Sequence, residues 1–115
     1  MIILYGIKNC DSVKKARKWL ENHDIDYRFH DIRANGLTAD QVNQWIAQLG
    51  WESMLNRRST TWRQLDEADK EGVDADKAAS LILKHPTLLK RPLLDQDGSY
   101  QVGFKENDYD QLFSG

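Results

Sequence analysis

Apolar positions change their spacing several times along this chain, and each change marks an element. Ile2, Ile3, Leu4 and Tyr5 form an unbroken apolar run that stops at Gly6, the length and composition of a buried strand. From Ser12 the spacing becomes three and four: Val13, Ala16 and Leu20 repeat while Lys14, Lys15, Arg17 and Lys18 occupy the other faces, the pattern of an amphipathic helix. Tyr27, Phe29 and Asp31 then alternate with Arg28 and His30, which predicts a second strand after the turn-like Asn22-His23-Asp24. Strand, helix, strand in this order predicts a parallel pair joined by a right-handed crossover.

Beyond Gly36 the spacing stays helical. Thr38 and Gln41 offer a capping box, Val42, Trp45, Ile46 and Leu49 form a stripe, and Gly50 closes the helix. Thr61 with Gln64 offers a second box, opening a short helix with Trp62 and Leu65 inward. Ala78, Leu81 and Ile82 share a face of a third helical stretch, 74–85, which Pro86 limits. Strands return at 92–94 and 100–104 around an Asp-Gly pair that signals a hairpin. Asn107 or Asp108 is placed to cap a last helix burying Tyr109, Leu112 and Phe113. The order βαβ, helices, ββα predicts an α/β fold with a thioredoxin-like four-stranded mixed sheet and a helical insertion at about 37–85 between its halves. A plain three-layer α/β domain is the alternative. No linker, repeat or low-complexity segment interrupts the pattern, which predicts a single domain over 1–115.

Composition narrows the function mainly by exclusion. Sixteen basic against eighteen acidic residues leave a net charge of -2, so no excess of positive charge draws the chain to a phosphate backbone, and no nucleic-acid partner is expected. The start MIILYG is too short for a signal core, and no stretch approaches the roughly 18 apolar residues of a membrane span, so a cytoplasmic location without membrane contact is expected. His23, His30 and His85 are scattered, so neither a metal nor a bound cofactor is expected. Trp19, Trp45, Trp51 and Trp62 read as core or core-edge packing.

Cys10 is the only cysteine, so no internal disulfide can form. It falls in the loop between the first strand and a helix beginning at Asp11 or Ser12, where unpaired amides and the helix dipole stabilise an anion. Lys8, Lys14 and Lys15 add positive charge, and Ser12 is placed either to donate to the sulfur or to cap the helix. A lone cysteine is commonly an inert buried group, but the polar neighbours and the strand-to-helix position favour a reactive one. Lys90-Arg91-Pro92 stands at the start of the third strand, where proline loses no ladder hydrogen bond and Arg91 can be a plain surface charge. In a thioredoxin-like arrangement the same loop faces the first helix, setting Arg91 beside Cys10 with a cis peptide before Pro92. An arginine there grips an oxyanion or a peptide carboxylate with a bidentate fork. Arg57 and Arg58, on their own, read as solvated charges.

The segments YGIKNCDSVKKA, WESMLNRRSTTWRQLDEADK, HPTLLKRPLL and VGFKENDY, in this order, resemble the arsenate reductase (ArsC) family of thioredoxin-fold proteins, which includes the Spx regulators, and within it the YffB-type branch. The resemblance implies that Cys10 is a nucleophile and that Arg57 and Arg91 match two of the arginines that hold an oxyanion; Asn9 and Ser12 are expected to help position the sulfur and bind the substrate. The third family arginine is matched by Gly103, with Lys105 as its nearest substitute. Many Spx regulators carry a Cys-x-x-Cys switch whose second position is Val13 here. The expected function is a glutathione-dependent thiol reductase, with glutathione as co-substrate and glutaredoxin as a further partner. The alternatives are an Spx-like non-catalytic regulator that binds the RNA polymerase α-subunit, and an arsenate reductase.

Overall fold

The computed structural model describes residues 1–114, which form two compact units: Met1–Asp31 with the stretch from Arg91 onward, and Ile32–Lys90. The first unit opens with β1 (Ile2–Gly6), α1 (Asp11–Asn22) and β2 (Arg28–Asp31). β1 pairs with β2 in parallel, Leu4 opposite Phe29, as the crossover predicts. On its other side β1 runs antiparallel to β3 (Leu93–Gln96), Leu4 opposite Leu94, and β4 (Ser99–Val102) completes the order β2-β1-β3-β4. This is the thioredoxin-like mixed sheet that the element order predicts. Leu4 and Leu94 are buried with Ala16, Trp19 and Leu20 of α1 and Tyr109 of the last helix, α8 (Glu106–Phe113). The apolar stripe of α1 thus closes over one face of the sheet.

Two expectations at the end of this unit need correction. The fourth strand stops at Val102 and not at 104, because Gly103 takes a left-handed φ of 79° that bends the chain while its N–H still reaches the Pro92 carbonyl at 2.9 Å. Asn107 and Asp108 do not cap α8 but lie inside it. Lys105 holds the cap position with no side-chain bond, and the first helical hydrogen bond runs from the Tyr109 N–H to the Lys105 carbonyl. The Asp-Gly hairpin forms as expected, with Asp97 and Gly98 both at positive φ, the requirement of a tight two-residue turn.

The second unit is helical: α2 (Ile32–Asn35), α3 (Ala39–Leu49), α4 (Trp51–Met54), α5 (Thr60–Arg63), α6 (Glu67–Lys70) and α7 (Ala75–Lys84), followed by a 3-10 turn, Pro86–Leu88. The box at Thr38 is complete: its hydroxyl accepts from the Gln41 N–H at 3.2 Å, and the Gln41 side chain accepts from the Thr38 N–H at 2.9 Å. Asp74 caps α7 by accepting from the Lys77 N–H. The box expected at Thr61 and Gln64 does not form. Ser59, two residues earlier, caps α5 by accepting from the Trp62 N–H, and the Thr61 hydroxyl pairs instead with that of Thr87 at 2.7 Å. Val42 and Trp45 of α3 are buried, as are Ala78, Leu81 and Ile82 of the neighbouring α7. A bridge between Leu55 and Leu89, flanked by hydrogen bonds from the Asn56 N–H to the Leu88 carbonyl and from the Lys90 N–H to the Met54 carbonyl, ties the loop after α4 to the end of the unit. Of the tryptophans, Trp19 and Trp45 are buried and Trp51 and Trp62 half-buried. No helix among the described residues is long and apolar enough to cross a membrane.

Candidate functional site

The position of Cys10 follows from a close approach between β1 and α1. A Cβ on Gly6 would lie 2.6 Å from a branched methyl of Val13, so only glycine lets the first turn of α1 rest on the end of the strand. With that contact fixed, Ile7 is buried, Lys8 and Asn9 cross in solvent, and Cys10 takes the N-cap position at φ -124°, ψ 123°. Its carbonyl accepts the Lys14 N–H at 2.9 Å, while its side chain caps nothing. The amides of Asp11, Ser12 and Val13 head a 12-residue helix that offers them no acceptor, and Cys10 is half-buried beside them. An anion on the sulfur would therefore meet oriented N–H groups and the positive end of the dipole.

Strand register brings the rest of the first unit's candidates to the same end of the sheet. The last β1–β3 pair is Tyr5 opposite Leu93, so Gly6 and Pro92 follow as neighbours. The Arg91–Pro92 peptide is cis, Pro92 is buried, and Arg91 is half-buried with its Nε inside. Asn9 and Ser12 flank Cys10 and are exposed, and among the described residues neither shares a hydrogen bond with the sulfur. Gly103 joins this end through its bond to Pro92. At its left-handed φ, any other L residue, arginine included, would be strained by about 1–2 kcal/mol.

Arg57 belongs to the second unit. It is exposed, and its guanidinium lies over the Trp51 ring at 5.3 Å, a cation–π contact that limits its motion. With Asn56, Arg58 and Lys90 it lines a depression of about 490 Å³. Asn56 shapes this loop by accepting the Arg58 N–H. Among the described residues no group of His, Cys, Asp and Glu is arranged to hold a metal ion.

One concave feature escaped the sequence. A cavity of about 670 Å³ is lined by Lys15 and Lys18 of α1 and by Phe104, Lys105, Glu106 and Asp110. Lys105, two residues past Gly103, lines this cavity. The spacing of Lys15 and Lys18 shows that they share a helix flank, but only the fold brings 104–110 opposite them. Elsewhere in the unit Tyr27 is held above its ordinary pKa by burial and by its hydrogen bond to Glu21. Burial alone raises that of Tyr109, whose hydroxyl has no hydrogen-bond partner among the described residues.

Residues 5–112 match the ArsC family. The chain belongs to the ArsC family. A solved structure of a YffB protein superposes with a TM-score of 0.94 at 46% identity, over 96% of this chain and 97% of that one. The solution structure of an arsenate reductase (ArsC) related protein from Brucella melitensis gives 0.77 at 47% identity, over 97% and 93%. The global transcriptional regulator Spx of Lactiplantibacillus plantarum is 31% identical over 94% of this chain and 83% of its own length. This ArsC-family chain therefore has an arsenate reductase-like fold, and its relatives include transcriptional regulators.

Proposed function

We propose that the protein is a thiol oxidoreductase with Cys10 as nucleophile and glutathione as co-substrate. The observation that carries this reading is the half-buried Cys10 at the N-terminus of α1, at the sheet end where Arg91 also lies. The Cys10 thiolate attacks one sulfur of a disulfide RSSR, releasing RS⁻ and leaving a Cys10–S–S–R mixed disulfide. Glutathione thiolate then attacks the R sulfur, freeing Cys10 and forming GSSR, and a second glutathione converts GSSR to GSSG and RS⁻. Two thiols are oxidised and one disulfide reduced. With no second cysteine in the chain, the resolving thiol comes from outside. Helix amides steady the sulfur, and Arg91 takes a carboxylate of the substrate in a bidentate fork. Arg57 is assigned a further anion-binding role on the strength of the family resemblance.

Arsenate is the less favoured substrate, because position 103 carries no guanidinium and its backbone suits glycine. Arsenite production in the presence of glutathione and glutaredoxin would reverse that preference. The principal test is Cys10→Ser, which is expected to abolish glutathione-dependent disulfide reduction while leaving the circular dichroism and the melting temperature unchanged. Retained turnover would sink the proposal. The likeness to Spx supports a second reading, a regulator that binds the α-subunit of RNA polymerase. That reading requires capture of the α C-terminal domain by both the native chain and Cys10→Ala.

A further inference from the structure

Positive charge on this chain is concentrated beside Cys10. Residues 8–18 hold five basic side chains, Lys8, Lys14, Lys15, Arg17 and Lys18, against one acidic, Asp11, whereas the rest of the chain holds eleven basic against seventeen acidic. Arg17 is committed within the fold: its Nε donates to the Tyr27 hydroxyl at 3.0 Å, and its guanidinium lies 4.2 Å from the centre of the Phe29 ring. The four lysines are exposed, and none has an ion-pair or side-chain hydrogen-bond partner among the described residues.

Folding gives no reason for this placement. α7 follows its dipole, with Asp76 in the first turn and Lys84 in the last. α1 keeps Asp11 in its first turn, but its last turn holds Glu21 and no cation, while Lys14, Lys15 and Lys18 share one flank at three- and four-residue spacing, where like charges repel. Support of the sulfur does not account for the whole cluster either. Lys14 stands about 6 Å along the helix axis from Cys10, but Lys18 stands about 12 Å, at ~1.5 Å per residue, beyond the Debye length of ~8 Å at physiological ionic strength.

Acidic groups close the patch off. Glu106 and Asp110 line the cleft toward α8 together with Lys15 and Lys18, and Glu21, Asp24 and Asp26 gather past the far end of α1. The lysines thus form a strip that starts at the Cys10 loop and runs about 12 Å along the helix. An extended peptide covers that length with about four residues at ~3.3 Å each, so carboxylates within about four residues of a substrate sulfur reach the lysines. The longer run of phosphates in a nucleic acid would meet the negative remainder of the chain.

We propose that the disulfide attacked by Cys10 is carried on an acidic polypeptide, whose carboxylates dock on Lys8, Lys14, Lys15 and Lys18. The assignment rests on the thiol-reductase reading and gives it a substrate class.

Two short peptides test it, each carrying one cysteine as its mixed disulfide with thionitrobenzoate, one flanked by glutamates and one by glutamines. Attack by the Cys10 thiolate joins Cys10 to the peptide sulfur and releases the coloured thionitrobenzoate thiolate, whose appearance gives the rate; each rate is taken relative to that of 2-mercaptoethanol with the same peptide. At low salt the full chain is expected to react about 10-fold faster with the glutamate peptide, an advantage that disappears near ~1 M salt, where the Debye length is ~3 Å. Lys18→Glu should lower the ratio of the two rates about 3-fold and Lys18→Arg should keep it, and a ratio is unmoved by any change in Cys10 itself. Equal rates for the two peptides, or a preference that survives both salt and Lys18→Glu, would overturn the assignment and leave the thiol-reductase reading standing. The glutamate peptide with serine in place of cysteine, titrated into the isotopically labelled full chain, is expected to shift the NMR signals of Lys14, Lys15 and Lys18. Those shifts without reaction of either disulfide would uphold the surface and remove the thiol-reductase reading. Displacement of this peptide by a single-stranded oligonucleotide of equal charge would overturn an acidic polypeptide as the occupant.

Discussion

Leu4 finds its partners in Phe29 and Leu94, from two distant parts of the chain, whereas Thr38 finds its partner in Gln41, three residues on. That contrast runs through the two units. The first is assembled from distant pairings: Gly6 against Val13, Tyr5 opposite Leu93, Gly103 bonded to Pro92. The second is punctuated by local caps at Thr38, Ser59 and Asp74, each closing onto an N–H three residues away. The placement of chemistry follows the construction. Cys10, Arg91 and Gly103 lie at one end of a sheet that sets their register, while Arg57 is presented on a short loop against its own neighbour Trp51.

The sharpest way to break the contrast is from the helical side. Caps define where its helices begin, but burial is expected to dominate their stability. Trp45→Ala, which empties a fully buried site, should cost about 3–5 kcal/mol in chemical denaturation and raise amide exchange in α3 and α7. A loss no larger than that of a single cap, ~1 kcal/mol, would show that the unit is held mainly by local bonds. On the sheet side, Gly6→Ala should cost about 1–3 kcal/mol by overpacking Val13 and should also slow Cys10 alkylation, because the helix N-terminus must move. The double variant with Val13→Ala should recover part of both effects. Strict additivity in that cycle would deny that the two residues touch.

The smallest expected effect concerns Tyr109. Its buried hydroxyl lacks a partner among the described residues, so Tyr109→Phe should stabilise the chain by about 1 kcal/mol near neutral pH. Burial also raises its pKa, so the unfolded tyrosine ionises near 10 while the folded one stays protonated to higher pH. Above pH ~10 the unfolded state therefore binds fewer protons, and stability should fall as pH rises, by at most about 1.4 kcal/mol per unit from this group. Denaturation midpoints measured from pH 9 to 11 should fall less steeply in Tyr109→Phe than in the native chain.

Much of this architecture is legible in the sequence, and the failures have a common cause. Periodicity identifies α1, α3 and α7 because each buries one stripe, and the Asp-Gly pair identifies the hairpin. Caps are legible only where one candidate stands before a helix. At α5, Ser59 and Thr61 compete, and the contact that occupies Thr61 comes from Thr87. At α8 no side chain caps, so Asn107 and Asp108 mislead. In the site, Cys10 is legible because a strand, a glycine and a helix converge on it. The cleft is not, since Lys105 and Lys18 meet only through the packing of α8 beside α1 and no spacing along the chain encodes that.

The central claim is that this fold activates Cys10, and the most direct measurement is the rate at which glutathione disulfide modifies it at neutral pH, read by intact mass and peptide mapping in the native chain and in the chain unfolded in urea. The account predicts a single glutathionyl group on Cys10, formed faster in the folded chain and removed by added glutathione. No adduct, or modification no faster folded than unfolded, would contradict it.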